Sequence, residues 1–376
     1  MDVYVSGIGM TPFGKHENKS LKDLLVEAAR AALHDADYPR IDAVIVGNFM
    51  GGAIYNQEIL GAIVVNDLNL GSIPSLKVEG ACASGGIAIR QAILGILSGE
   101  YENVLVVGGE KMKHASTETV TQAINAAMDN QSLEKNSGLT FPAFFGLLAN
   151  RYFYESGATK KHLAYVAKQN RDYAVNNPLA QFRKPTTIEE VLEAKMITDP
   201  LGLFDCSPIT DGAASVVISK KKTGIQLKAS VQVSGPTTIQ HLDSILKIPA
   251  IVESGRKAYA QAGVGPEDLD VVEVHDCFTI TQLLAIEGLG FAKELEAWKF
   301  VKDGETGLSG KTPLNTSGGL LSRGHPIGAT GIAQFIQIVL QLRGQAPNQV
   351  ENARLGMAQN LGGTGAYSVI HILERV

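Results

Sequence analysis

LDVVEVHDCF, residues 269 to 278, opens with the same aliphatic-Asp step and strand-like apolar run as IDAVIVGNF, residues 41 to 49, 228 positions upstream. The match extends outward from this pair. SVQVSGP at 230 to 236 repeats the VSG of the opening DVYVSGIGMTP at the same spacing, and LLVEAARAALHDA, with apolar residues three and four apart, is answered by PAIVESGRKAYAQAG at 249 to 263. Further along, CASGGIAIRQAILGILSG at 82 to 99 resembles IGATGIAQFIQIVLQLRG at 327 to 344, and NVLVVGGE at 103 to 110 resembles ARLGMAQNLGG at 353 to 363. Self-similarity in the same order over both halves implies duplication of one β-α-β-α-β unit. Strands alternating with helices imply an α/β protein with mainly parallel sheets covered by helices. Residues 112 to 202 have no counterpart in the second half and read as an insertion. The expected organisation is therefore an N-terminal half (1–111 plus 203–222), an inserted loop domain (112–202) that forms a lid, and a C-terminal half (223–376). DGAASVVISK is expected to close the first sheet.

Composition narrows the function class. The 376-residue chain, 45% hydrophobic and 19% charged, is an ordinary globular sequence long enough for two or three domains. A net charge of -5 with interspersed signs leaves no footprint for nucleic acid, and Lys220–Lys222 beside Thr223-Gly224 read as a solvated linker. No apolar run approaches the roughly 20 residues a bilayer span needs, and the N-terminus lacks a signal pattern, so a cytoplasmic location is expected. Three cysteines without CxxC pairing suggest neither a disulfide framework nor a zinc ribbon, which leaves packing or thiol chemistry.

In parallel α/β sheets, reactive groups gather beyond the carboxyl ends of strands. VEGACASGG, VHDCF, LLSRGHPIGATG and AQNLGGTGA are four such stretches, and a pseudo-two-fold would bring them into one site. Cys82 sits between a strand and a helix N-terminus, where free N–H groups and the helix dipole favour a thiolate; a small buried hydrophobe at a tight turn is the competing reading. His325, held between Gly324 and Pro326, suits a base that must reach a thiol, or else caps a helix. His275 can donate to an oxyanion, and Cys277 can shuttle a proton or simply pack. Gly362 and Gly363 offer backbone N–H groups for an oxyanion hole, or serve a close-packed turn. Cys206 reads as packing. A dinucleotide fingerprint fails, because Pro12 stands where the third glycine belongs.

EGACASGG, GGEKM, NPLAQF, DPLGLFDCSPITDGAAS, VHDCF, GGLLSRGHPIGATG and QNLGGTGA together make the chain resemble the thiolase superfamily, and within it the sterol-carrier-protein type. The resemblance covers essentially the whole chain. It implies the thiolase fold: two βαβαβαββ halves stacked in five αβαβα layers, with a loop domain that helps hold coenzyme A. It implies Cys82 as the nucleophile that accepts an acyl group, His325 as its activator, and Cys277 as the acid/base, since Asn360-Leu361-Gly362 replaces the cysteine-containing CxG triplet of many thiolases. His275 would help build one oxyanion hole with His325, and the N–H groups of Cys82 and Gly362 the other. The implied reaction forms or cleaves a 3-oxoacyl-CoA by ping-pong acyl transfer, with coenzyme A as substrate and no metal or bound cofactor.

The expected substrate pair is acetoacetyl-CoA and acetyl-CoA, with a bulky or aromatic 3-oxoacyl-CoA such as benzoylsuccinyl-CoA as the alternative. Phe141, Phe144 and Phe145 could line the acyl site or belong to the core. Cys277 argues against irreversible condensing enzymes and Cys82 against thiolase-like retro-aldolases; a non-catalytic acyl-CoA-binding scaffold is the reading from another class. The resemblance also implies a homodimer or dimer of dimers, and leaves room for a small zinc-ribbon/OB-fold partner.

Overall fold

A computed structural model describes residues 1–376. The chain begins β1 (Tyr4–Met10), α1 (Leu21–Asp35), β2 (Ala43–Gly47), α2 (Gly51–Tyr55), α3 (Leu60–Asp67), β3 (Ser75–Val78), α4 (Ser84–Leu97) and β4 (Asn103–Glu110). Five helices follow, α5 (Thr117–Ile124), α6 (Leu133–Asn136), α7 (Phe141–Ser156), α8 (Lys160–Asn176) and α9 (Ile188–Glu193), then a small ribbon of β5 (Met196–Thr198) and β6 (Leu201–Gly202). The first half ends with β7 (Gly212–Ser219). The second comprises β8 (Ile225–Ser234), α10 (Pro249–Ala262), β9 (Val271–Glu273), α11 (Thr279–Gly288), α12 (Ala297–Lys302), α13 (Thr330–Arg343), β10 (Leu355–Gly362) and β11 (Tyr367–Arg375). Local signals set these boundaries. Ser20 caps α1, its hydroxyl accepting from the Asp23 N–H while the Asp23 carboxylate accepts from the Ser20 N–H at 2.8 Å. No helix is long and apolar enough to cross a membrane.

Strand order is β3-β2-β4-β7-β1 in the first half and β8-β11-β10-β9 in the second, the two half-sheets joining at the β1–β8 edge, where Tyr4 pairs with Gln226 and the Leu227 N–H donates to the Val3 carbonyl. Alternation along each strand sorts its side chains between two apolar layers. On β4, Leu105 and Val107 face α1 and α3, whereas Val104 and Val106 face α4 and α13. On β10, Leu355, Met357 and Leu361 face the outer layer with α11, and Ala358 faces inward. Helices α4 and α13 thus fill a shared middle layer between the sheets, giving five layers in all. This layer explains the glycines at both helix starts: a Cβ on Gly331 would lie 2.4 Å from the backbone nitrogen of Gly86, and one on Gly85 would lie 3.0 Å from that of Ile332, while Gly86 itself makes room for Asn360.

The sheets are not mainly parallel. Only the β2–β3, β2–β4 and β9–β10 pairs are; β7 runs antiparallel to both β1 and β4, and β11 to both β8 and β10. The tight β10–β11 turn forces antiparallel pairing, and β7 re-enters after the 112–202 excursion from the opposite end. DGAASVVISK does return as a strand, β7, and completes the first sheet from the inside, between β4 and β1. The second-half counterpart of β3 is reduced to Leu314, bridged in parallel to Val272, so the stretch carrying His325 leaves a single bridge rather than a full strand.

Phe335, fully buried on α13 between the sheets, should be the sensitive point of this middle layer. Phe335→Ala is expected to cost about 3–5 kcal/mol, read as a lowered midpoint of chemical denaturation.

Candidate active site

The ends of β9 and β10, the turn before α4 and the loop before α13 enclose a cavity of about 190 Å³. Cys82, Cys206, His275, Cys277, His325 and Gly363 contribute to its walls, and Thr117, Thr121 and Ile124 of α5 with Phe141 and Pro142 of α7 roof it. Cys82 Sγ and one ring nitrogen each of His275 and His325 lie within 4.8 Å of one another. All four side chains singled out by their motifs, Cys82, His275, Cys277 and His325, therefore meet here.

Cys82 belongs to a single tight turn, Ala81–Ala83, that leads directly into α4. Ala81 sits at φ +49°, a left-handed conformation unfavourable to a residue with a Cβ. The Ser84 hydroxyl accepts from the Gly80 N–H at 3.0 Å and donates to the Ala81 carbonyl at 2.7 Å, holding that turn. The dipole of α4 was expected to draw the thiol pKa down. Instead burial, reinforced by Cys277 and Glu110 nearby, pushes it well above the usual thiol range. At rest Cys82 is a thiol, which needs a base before it can act as a nucleophile.

The two imidazoles are held in different tautomers. Thr330 Oγ1 donates to the Pro326 carbonyl at 3.0 Å, so its oxygen can only accept from His325 Nδ1–H at 2.6 Å. His325 Nε2 is then a lone pair, the form a base requires. His275 Nδ1 accepts from the Asn360 amide at 3.1 Å, which puts its proton on Nε2 as a donor. Burial, with the Arg323 guanidinium close by, holds His325 down to about 3; burial, His325 and Arg323 hold His275 well below the ordinary range. Both rings are neutral, and meet edge to face with centroids 5.2 Å apart.

Asn360 was recognised from sequence only as a departure from the CxG triplet. Its amide nitrogen also donates to the Cys82 carbonyl at 2.9 Å, and its oxygen accepts from the Gly86 N–H at 3.3 Å. One side chain thereby fixes the nucleophile's turn, the start of α4 and the His275 tautomer. Glu110 is a second unanticipated residue: buried at the end of β4, it accepts from the N–H groups of Phe49, Met50 and Gly328, anchoring the loop that follows His325. No local signal marks either, because each acts on partners distant in sequence.

Cys277 precedes α11 and lies 3.6 Å from the Thr281 hydroxyl; burial pushes its thiol up to about 12. Its carbonyl accepts from the Ser207 N–H at 2.9 Å, so the LFDCSP stretch braces it. Cys206, read as packing, reaches the cavity wall as well. Of the three phenylalanines, Phe141 faces the cavity while Phe144 and Phe145 are core, Phe145 stacking on Phe278 with centroids 4.6 Å apart. Gly363 lines the cavity, and Gly362 lies against Gly80, where a Cβ would come within 2.4 Å of its carbonyl oxygen. Cys82, His275 and His325 are close enough to share a soft divalent ion, which would occupy the thiol lone pairs.

Two measurements follow from this geometry. Asn360→Ala should lower kcat by on the order of tenfold to a hundredfold, as loss of an oriented donor does, with a smaller change in KM. Alkylation of Cys82 by iodoacetamide, followed by intact mass, should keep accelerating up to and beyond about pH 9, because a raised thiol pKa delays thiolate formation; a plateau near neutrality would contradict it.

Residues 3–222 match the family model "Thiolase, N-terminal domain", and residues 232–375 match "Thiolase C-terminal domain-like". The chain is 43% identical to an acetyl-CoA acetyltransferase of Methanothermobacter thermautotrophicus, with all of both chains covered. It is 36% identical to the benzoylsuccinyl-CoA thiolase subunit BbsB of Thauera aromatica over 96% of this chain and 94% of that one. Among solved structures, the Ltp2-ChsH2(DUF35) aldolase superposes with a TM-score of 0.85 at 26% identity, covering 99% of this chain and 97% of the other. With both family models matched in chain order across two halves that meet at one thiol-imidazole cavity, this chain belongs to the thiolase family.

Proposed function

We propose that this acyltransferase interconverts two acetyl-CoA with acetoacetyl-CoA and free CoA, with Cys82 as the acyl carrier. The observation that carries the reading is the meeting of Cys82, His275 and His325 within 4.8 Å on a cavity that also holds Cys277. Cys82 attacks the thioester carbonyl as its proton passes to His325 Nε2. The oxyanion formed faces the backbone N–H groups of Cys82 and Gly362. As the thioester C–S bond breaks, the departing CoA thiolate takes the proton of Cys277. The Cys277 thiolate then removes an α-proton from a second acetyl-CoA, and its raised pKa makes it a stronger base toward that weak carbon acid. The enolate oxygen accepts from His275 Nε2–H and from His325, now protonated. The enolate carbon attacks the acetyl group, and Cys82 leaves and recovers its proton from His325. Both cysteines end as they began.

Cavity size favours a short acyl group. About 190 Å³ is below the roughly 300–1,000 Å³ of sites for larger ligands, and Phe141 limits it from the roof, which speaks against a benzoylsuccinyl substrate. We assign residues 112–202 to a loop domain that holds coenzyme A, between halves formed by 1–111 with 203–222 and by 223–376. The reading includes a homodimer or dimer of dimers, for which the free edge of β3 with its exposed Leu76 offers a pairing surface. It also admits a small partner subunit, since the name of the Ltp2-ChsH2(DUF35) aldolase joins two components.

The test is incubation with acetoacetyl-CoA and CoA, following loss of the 3-oxo thioester and the intact mass of the protein. Wild type is expected to turn over and carry an acetyl adduct, Cys82→Ala to lose both, and Cys277→Ala to keep the adduct with turnover lower by on the order of a hundredfold or more. A protein that forms no adduct and no product would leave the acyl-CoA-binding scaffold as the better reading.

A further inference from the structure

Arg323 is fully buried, and the acyl transfer as written makes no use of it. One of its terminal nitrogens donates to Glu273 Oε2 at 3.2 Å and to the Ser317 hydroxyl at 2.9 Å, while that hydroxyl donates to Glu273 at 2.8 Å. Its Nε and second terminal nitrogen find no protein acceptor. Burying such a pair costs several kcal/mol per ion, and apolar residues of similar volume are often at least as stable. Stability is therefore a poor reason for placing it here.

Position suggests another reason. Glu273 ends β9 two residues before His275, and Arg323 stands two residues before His325. The ion pair joins the two catalytic segments at equal distance along the chain from each imidazole. The titratable groups around the rings are Cys82 from the turn before α4, Glu110 from β4 through its bond to Gly328, and Glu273, Asp276 and Cys277 from the end of β9. None of these is a cation. Asp276 is buried too, its oxygens accepting from the Leu320 and Leu321 N–H groups and the Asn170 amide. Yet the tetrahedral adducts, the CoA thiolate and the enolate are all anions formed in a site whose own acids and bases are neutral.

We propose that Arg323 is a positioning residue for the acyl transfer: it clamps the His275–Cys277 segment to the His325 segment and sets a fixed positive charge behind the anions the reaction forms. This rests on the thiolase reading above. The charge acts through the imidazoles without touching substrate, and in a low-dielectric interior it is weakly screened. The depressed basicity of both rings, to which Arg323 contributes in each case, accords with it.

Arg323→Met alone would strand Glu273 and unfold or weaken the protein, so the informative variant is Arg323→Met with Glu273→Gln, which removes both charges and keeps an acceptor for Ser317. It is expected to retain a near-wild-type thermal midpoint, to lose about a hundredfold in kcat with KM little changed, and to move the acid limb of the pH–rate profile up by about one unit. The sign follows because Arg323, and not Glu273, is the charge that acts on both imidazoles, and a cation disfavours imidazolium; without the pair the rings protonate at higher pH and activity fails sooner on acidification. Arg323→Lys keeps the charge, and is expected to hold the wild-type acid limb at reduced kcat. A double variant with wild-type kcat and acid limb would make the pair merely structural. An acid limb that shifts in the lysine enzyme as well would overturn the role of the charge even if the double variant failed to fold. Wild-type protein without turnover would instead sink the thiolase reading, so the two failures are distinguishable.

Discussion

The active site depends on one backbone contact. Two helices that begin at Ser84 and Thr330 share a layer between two sheets because their first turns touch, and Gly85 and Gly331 remove the side chains that would hold them apart. Given that contact, the turn ahead of each helix delivers its reactive residue to the same place, Cys82 from one half and His325 from the other. Duplication creates the scaffold, and the chemistry arises from what the copies no longer share. Where the first half has Gly47-Asn48-Phe49, the second has His275-Asp276-Cys277.

Enclosure then governs the site's electrostatics. Burial is the leading cause of the upward shift of the Cys82 and Cys277 thiols and of the downward shift of both imidazoles. A site of neutral groups has no ready-made thiolate, so reactivity must come from proton transfers arranged by hydrogen bonds. Thr330 makes one ring an acceptor, and Asn360 makes the other a donor. Two residues of identical type thus serve opposite ends of the same proton economy.

Much of this was legible before the fold. The repeats located the strands and helices, because a duplicated core must bury the same faces twice, and the glycine-flanked motifs singled out four side chains that line one cavity, Cys82, His275, Cys277 and His325. Parallel strands were over-assigned, since β7 and β11 have the same alternation whichever way they run. Cys206 packs against the core as read, but DCSP gives no sign that residues 203–208 also run beside the Cys277 loop and bring it to the cavity wall. Asn360 and Glu110 went unassigned for a related reason: Asn360 bonds to Cys82 across 278 positions, and Glu110 to Gly328 across 218. The dipole argument at Cys82 was sound for an exposed helix start and failed because desolvation outweighed it.

The roof helix α7 touches the site twice. Phe141 closes the cavity, and Phe145, one turn further on, stacks on Phe278, the residue beside Cys277. The ring that bounds the cavity and the ring that packs beside Cys277's neighbour are for that reason held by one helix. Any displacement that widened the roof at Phe141 would also disturb the Phe145–Phe278 stack, and with it the packing beside the Cys277 thiol. The width of the cavity and the dryness of the thiol beside it are thus set by a single helix.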